Sequence, residues 1–308
     1  SDYLALRKDQ KLEHVHRATN RKHDYPSLKL LAIDHRVQFE KLAEELSVHM
    51  GRISKLKEMA IQPVDGLADG DPGFGILLDG RYGEDALAMM GEYPYWIGRP
   101  IEASDVLPLK FEGTEAVAVE LNKWPLTQTV KCLVNYRATD PADYRECQER
   151  QLLRMADACR QTRHELMLEV VVQQNGSSEP GAAAEAMKRL YEIGIYPDWW
   201  KLGPLVTAQE FEQVSSVIDE FDPWCRGIVL LGLAAPLAEL VENFEIAARF
   251  PHIKGFVVGR SIWHAAAKAW LAGEIENDEF VAQLQERFTL LSAAWDEAHS
   301  PKMRTGNE

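Results

Sequence analysis

The sequence predicts a single α/β domain of the (β/α)8, or TIM-barrel, class. Eight short apolar runs of strand length recur along the chain, and helix-period segments separate them. The alternation fills about 250 residues, the size of one closed barrel. The runs are nearly continuous in apolar residues rather than alternating, which is the pattern of parallel strands buried on both faces. A doubly wound open sheet is the main rival. Its dinucleotide-binding form would carry a GxGxxG turn after the first strand, and none is present.

Residues 1–27, which include LEHVHRATNRKHDYP, are polar, rich in charge and His, and without a sustained apolar period. They read as an N-terminal arm or inter-domain linker. From Ser27 the character changes. The strand candidates are Leu28–Asp34, Phe74–Asp79, Tyr95–Pro100, Val130–Tyr136, Glu165–Val172, Trp199–Leu205, Gly227–Leu233 and Gly255–Gly259. Between them, Leu237, Leu240, Val241, Phe244 and Ala248 fall on one helical face, and Tyr144, Leu152, Met155, Ala156 and Cys159 nearly do the same. Phe280, Leu284, Phe288, Leu291 and Trp295 make the stripe of a last helix. Gly194 and Gly273 stand near helix C-termini, where a left-handed residue is often required. Two irregular stretches, 101–128 and 173–181, each follow a strand and so belong to the C-terminal face, where such barrels carry their sites. The barrel domain is expected over 28–300, with a flexible tail at 301–308.

Composition narrows the function. The formal net charge of −14 argues against nucleic acid, which needs a basic face. A small anion stays open, because a few convergent arginines can reverse the field locally. The four cysteines, Cys132, Cys147, Cys159 and Cys225, have no CxxC spacing and no His at a zinc-ligand offset. They read as free thiols of a reducing cytosol. No apolar run reaches the ~18 residues of a membrane span, and the N-terminus lacks the apolar core of a signal peptide. The expectation is a soluble, cytoplasmic protein.

The most informative residues are charges that interrupt apolar strands. Asp34, His35 and Arg36 end the first strand; Lys131 lies in the fourth, Glu169 in the fifth and Lys201 in the sixth; Arg260 follows the eighth. An unpaired buried charge is expensive, so such residues are expected to converge on one another in the barrel mouth. A desolvated lysine beside a second cation can attack a carbonyl carbon, and a nearby carboxylate can relay the proton of a β-hydroxyl. Lys131, Glu169 and Lys201 supply those three parts. The same residues could instead form a structural network closing the barrel. Gly259 and Arg260 offer a helix N-terminus and a guanidinium to a phosphate, and Gly232 would let the backbone of the preceding loop approach it. Trp199 and Trp200 either wall the pocket or pack behind the strand.

Taken in order, AIDHR (32–36), VKCLVNY (130–136), LEVVV (168–172), WKLGP (200–204) and GFVVGRSIW (255–263) resemble the class I aldolases of the tagatose-1,6-bisphosphate aldolase group. With HVHRATNRK (14–22) and RPIEASDVLPLKFEG (99–113), the chain is more closely similar to the aldolase half of bifunctional 5-dehydro-2-deoxygluconokinase/5-dehydro-2-deoxyphosphogluconate aldolases of inositol catabolism. The resemblance implies that Lys201 forms the Schiff base, Glu169 is the acid/base, Lys131 is the second active-site lysine and Asp34 is the first-strand aspartate. It places Gly259 and Arg260 on the phosphate, with His35 where the group often has glutamine. LLGLAAP (230–236) departs from the group's Ser/Gly-rich turn. The implied reaction is cleavage of 2-deoxy-5-keto-D-gluconate 6-phosphate, without cofactor or metal, to dihydroxyacetone phosphate and malonate semialdehyde. Arg36, Arg99 and Arg137 are the candidates for the substrate carboxylate, with Arg99 favoured because it closes the third strand.

Other readings are an aldolase for another ketose phosphate, a metal-dependent aldolase using Asp34 and His35, and a sugar-phosphate-binding barrel without catalysis. The last could be one half of a larger polypeptide, and the opening segment fits attachment to an N-terminal sugar-kinase domain. Exposed helix faces leave room for a homo-oligomer.

Overall fold

The computed structural model describes residues 2–113, 115–173, 179–232 and 234–300. Eight parallel strands form a closed barrel in sequence order: β1 (Leu28–Ala32), β2 (Phe74–Leu77), β3 (Trp96–Pro100), β4 (Gln128–Asn135), β5 (Leu166–Val171), β6 (Trp199–Leu202), β7 (Gly227–Leu231) and β8 (Ile253–Val258). Leu28 pairs with Gly255, which closes β8 onto β1. The predicted fold class is the observed one.

Helices surround the strands. α1 (Asp2–Thr19) precedes the barrel; α2 (Val37–Glu45), α3 (Gly51–Met59) and α4 (Ile61–Ala68) follow β1, and α5 (Glu84–Met90) follows β2. α6 (Val117–Leu121), α7 (Ala142–Thr162), α8 (Ala182–Glu192), α9 (Ala208–Phe221) and α10 (Leu237–Ala247) follow β3 to β7 in turn. α11 (Arg260–Ala272) and α12 (Asn277–His299) complete the ring. The predicted stripe of α12 is fully buried: Phe280, Leu284, Phe288, Leu291 and Trp295. On α10, Leu240 and Phe244 are buried while Leu237 and Val241 pack at the edge of the core. Gly273 takes the left-handed conformation after α11, and Gly194 does so after α8. The stretch 101–128, expected to be irregular, contains α6.

Each strand is buried on both faces, which explains its continuous apolar sequence. Leu28, Leu30, Ala32, Leu77, Trp96, Met167, Trp199, Val229 and Val257 fill the barrel interior. Their strand neighbours join the larger core between sheet and helices. This alternation splits the two adjacent tryptophans. Trp199 points into the barrel, whereas Trp200 packs outside it and donates from Nε1 to the Tyr191 hydroxyl at 2.8 Å.

The segment expected to be an arm or linker is largely helical. Among its described side chains, His14 and Arg17 dock through polar contacts, which leave no apolar period in the sequence. His14 Nε2 lies 2.9 Å from Asp222 Oδ1, and Arg17 reaches Asp198 at 2.9 Å and the His164 carbonyl at 2.8 Å. Arg21, just past the helix, donates to Asp198 at 2.5 Å and to the Trp224 carbonyl at 2.6 Å. Asp198, His164 and Asp222 precede β6, β5 and β7, so α1 lies under the N-terminal end of the barrel, opposite the mouth. Residues 174–178 of the 173–181 stretch, Leu233 of the β7 loop and the tail 301–308 lie outside the described residues.

Candidate active site

The C-terminal mouth gathers charges from five strands. Asp34 and Glu102 each stand two residues beyond a strand end, on the inward side of β1 and β3. Lys131, Glu169 and Lys201 lie within β4, β5 and β6. The register sets their contacts: Glu169 pairs directly with Lys201 across β5 and β6, and Lys131 pairs with Pro100, two residues before Glu102. Lys131 Nζ is 2.8 Å from Glu102 Oε1, 3.2 Å from Asp34 Oδ2 and 3.0 Å from Glu169 Oε2. Lys201 Nζ donates to that same Glu169 oxygen at 3.0 Å. All five residues are buried.

The electrostatics follow from this packing. Burial works against a charge on Lys131, but Asp34, Glu102 and Glu169 outweigh it and hold the ammonium pKa well above its ordinary value. Burial likewise opposes ionisation of Asp34, and Lys131 and Lys201 overcome it, placing that carboxyl well below the usual carboxylate range. The same opposition, won by the same two lysines, lowers Glu169. Lys131 is thus a fixed cation at the centre of three carboxylates.

Sequence reasoning singled out Asp34, Lys131, Glu169 and Lys201, and the fold brings them together. It missed Glu102. The signal was in the period-2 order of β3: Trp96 faces inward, so Gly98, Pro100 and Glu102 continue on that side. Charge balance also asked for it. Two lysines and Arg36 converge here against Asp34 and Glu169, which leaves one cation without an acid.

The same alternation turns Arg99, the favoured carboxylate partner, away from the barrel. Its guanidinium lies 4.1 Å over the Trp124 ring, between sheet and helices. Arg36 is buried and committed to acids: it donates to the Glu102 carbonyl at 2.8 Å, reaches Glu102 Oε1 at 3.4 Å and pairs with Glu112. Arg137 stands at the rim with its side chain 29% exposed, folded onto Asp140 three residues later at 2.5 Å.

His35 meets Trp263 edge-on, with centroids 5.1 Å apart. Burial foremost, then Lys201 and Arg260, lowers its pKa to about 3. It is therefore a neutral imidazole, and its 3.9 Å approach to Asp34 is not an ion pair. Its buried Nδ1 has no hydrogen-bond partner.

Gly259 precedes α11, and a side chain there is sterically excluded. An added Cβ would lie 2.5 Å from the Ala32 carbonyl and 2.7 Å from His35 Cε1. Arg260 opens α11 half-buried and makes no ion pair with the described residues. Ser261 Oγ donates to the Ala235 carbonyl at 2.7 Å, tying the β7 loop to this helix start. Gly232 lies in that loop, but the position of its missing Cβ faces Val258 at 3.3 Å. Among the described residues, no group of three or more His, Cys, Asp or Glu is placed to hold a metal, and no helix is long and apolar enough to cross a membrane.

Fold and site together define a (β/α)8 barrel with a lysine–carboxylate cluster in its C-terminal mouth. The chain belongs to the family described as "Uncharacterized protein conserved in bacteria (DUF2090)", which matches residues 1–299. No curated protein matches the sequence. Among solved structures, it is similar to fructose-bisphosphate aldolase from Plasmodium falciparum, in a complex with TRAP and a small-molecule inhibitor. The two share 15% identity at a TM-score of 0.65, over 97% of each chain. At that identity the likeness is one of fold.

Proposed function

We propose that this chain is a Schiff-base aldolase that cleaves a ketose phosphate, with Lys201 as the nucleophile. The asymmetry between the two lysines carries this reading. Lys131 is held as an ammonium by three carboxylates, whereas among the described residues Lys201 has one carboxylate contact and shares it with Lys131. Lys131 is the fixed cation, and Lys201 is the amine left to act.

The substrate proposed is 2-deoxy-5-keto-D-gluconate 6-phosphate, on the strength of the sequence resemblance. Glu169 takes a proton from Lys201, to which it is hydrogen-bonded at 3.0 Å, the freed amine adds to the C5 ketone, and Glu169 returns that proton as water leaves to give the iminium. Glu169 takes the proton of the C3 hydroxyl, the C3–C4 electron pair moves toward the iminium, and malonate semialdehyde leaves. Glu169 returns the proton to C4 of the enamine. Water then hydrolyses the iminium and releases dihydroxyacetone phosphate. Lys131 stabilises the Glu169 carboxylate between these transfers. Arg260 and the N–H groups that open α11 receive the phosphate. Arg137 is the best placed of the three arginines for the carboxylate. It stands at the rim, and its acid partner belongs to its own loop.

Borohydride reduction in the presence of dihydroxyacetone phosphate, followed by peptide mapping, tests the reading. The expected adduct is on Lys201, and Lys201→Ala loses adduct and turnover while keeping its fold. An adduct on Lys131 would exchange the two lysine roles. No adduct, with turnover abolished by a chelator, would favour metal-dependent chemistry; no turnover at all would favour a binding protein.

A further inference from the structure

We propose that the buried Lys57–Asp79 pair is a positioning device for Asp34, fixing the direction in which that carboxylate meets the reacting cluster. The proposal rests on the Schiff-base reading of the site.

Lys57 comes from α3, on the outside of the barrel, and its side chain is wholly buried. Its ammonium donates to the Ile33 carbonyl at 2.8 Å and to the His35 carbonyl at 2.9 Å, and it pairs with Asp79. An ammonium has three N–H donors, so none is left for a substrate. Asp79 is equally committed. Its second oxygen accepts from the backbone N–H of Arg81 at 3.0 Å and of Tyr82 at 2.8 Å. Neither residue is placed to touch a substrate.

Their location explains what they do. The pairing of β1 with β2 ends at Ala32 and Leu77, followed by one more bond from the Ile33 N–H to the Leu77 carbonyl. Beyond that point side chains take over from the sheet. Trp263 Nε1 donates to the Ala32 carbonyl at 3.1 Å, and Lys57 holds the carbonyls of Ile33 and His35. Asp34 lies between those two carbonyls, so Lys57 fixes the backbone on both sides of it. The Asp34 contact with Lys131, at 3.2 Å, is the longest of the three that Lys131 makes. A small rotation of the Asp34 backbone would break it first.

Stability alone does not account for such a pair. Replacing a fully buried ion pair with apolar side chains is often neutral or stabilising. What an apolar pair cannot supply is a donor for two carbonyls at the end of a strand.

The test compares wild type with the double variant Lys57→Met/Asp79→Asn, which removes both charges together. Cleavage kinetics and borohydride trapping with dihydroxyacetone phosphate are both read. The double variant is expected to trap the adduct on Lys201 and to keep its KM, while kcat falls about a hundredfold, the scale of an ångström's misplacement. Should it fail to fold, Lys57→Arg decides the matter, because a planar fork keeps the charge but displaces the carbonyl contacts; the same kcat loss at constant KM is expected. Wild-type kcat in whichever variant folds overturns the proposal. So does a loss shared equally by adduct, KM and kcat, or the failure of both variants to fold, since each marks a purely structural role. A wild type that traps no adduct overturns the Schiff-base reading itself and this proposal with it.

Discussion

At the scale of single residues, the site works by unequal sharing. One oxygen of Glu169 serves two lysines, while Lys131 also draws on Asp34 and Glu102. Removing Lys131 leaves three buried carboxylates without their centre. Lys131→Met is expected to destabilise the fold by about 3–5 kcal/mol, the cost of breaking a buried pair from one side; urea unfolding measures it. On the proposed reading, the phosphate and carboxylate ends of the substrate separate in kinetics. Arg260→Ala should raise KM for any phosphorylated substrate, whereas Arg137→Met should raise it only for substrates with a carboxylate, and an equal effect on both kinds would remove Arg137 from that role. His35 gives a pH signature. Its pKa falls from 6.5 to about 3 on folding, so the unfolded chain binds the extra proton between those values. Its contribution is fully present above pH 6.5 and is lost as the pH falls toward 3. In His35→Gln the decline of melting temperature below pH 6.5 should therefore be shallower than in wild type. An identical decline would mean that another group titrates there.

At the scale of elements, the ends matter more than the middles. α9 carries a full capping box, with Thr207 accepting from the Glu210 N–H and the Glu210 side chain accepting from the Thr207 N–H. Thr207→Ala is expected to cost about 1 kcal/mol. α1 is held differently, through Arg17 and Arg21 on the buried Asp198. The paired substitution Arg17→Ala/Arg21→Ala takes both cations from that carboxylate, which keeps the Leu166 N–H at 2.9 Å. It should lower the melting temperature while leaving the trapped adduct at Lys201, because α1 lies at the opposite end from the mouth. The apolar stripe of α12 was legible residue by residue, since a buried helix face leaves a 3.6-residue period. The docking of α1 was not, because the contacts of His14 and Arg17 are charges and hydrogen bonds, and these leave no period in the sequence.

For the whole molecule, eight apolar runs and their spacing were enough to specify the barrel, because burial on both faces forces a parallel strand to be apolar throughout. The same rule exposed Asp34, Lys131, Glu169 and Lys201 as charges out of place, so the sequence by itself determined the fold class and most of the cluster. Only the tertiary structure decided which face of the sheet each charge occupies. A strand's side chains alternate at every residue, so an end displaced by one position reverses the assignment. That alternation sent Arg99 outward to Trp124 and Glu102 inward to Lys131. It was also tertiary structure that brought Lys57 from α3 to the Ile33 and His35 carbonyls on either side of Asp34, contacts across 24 and 22 residues of chain that no local pattern encodes.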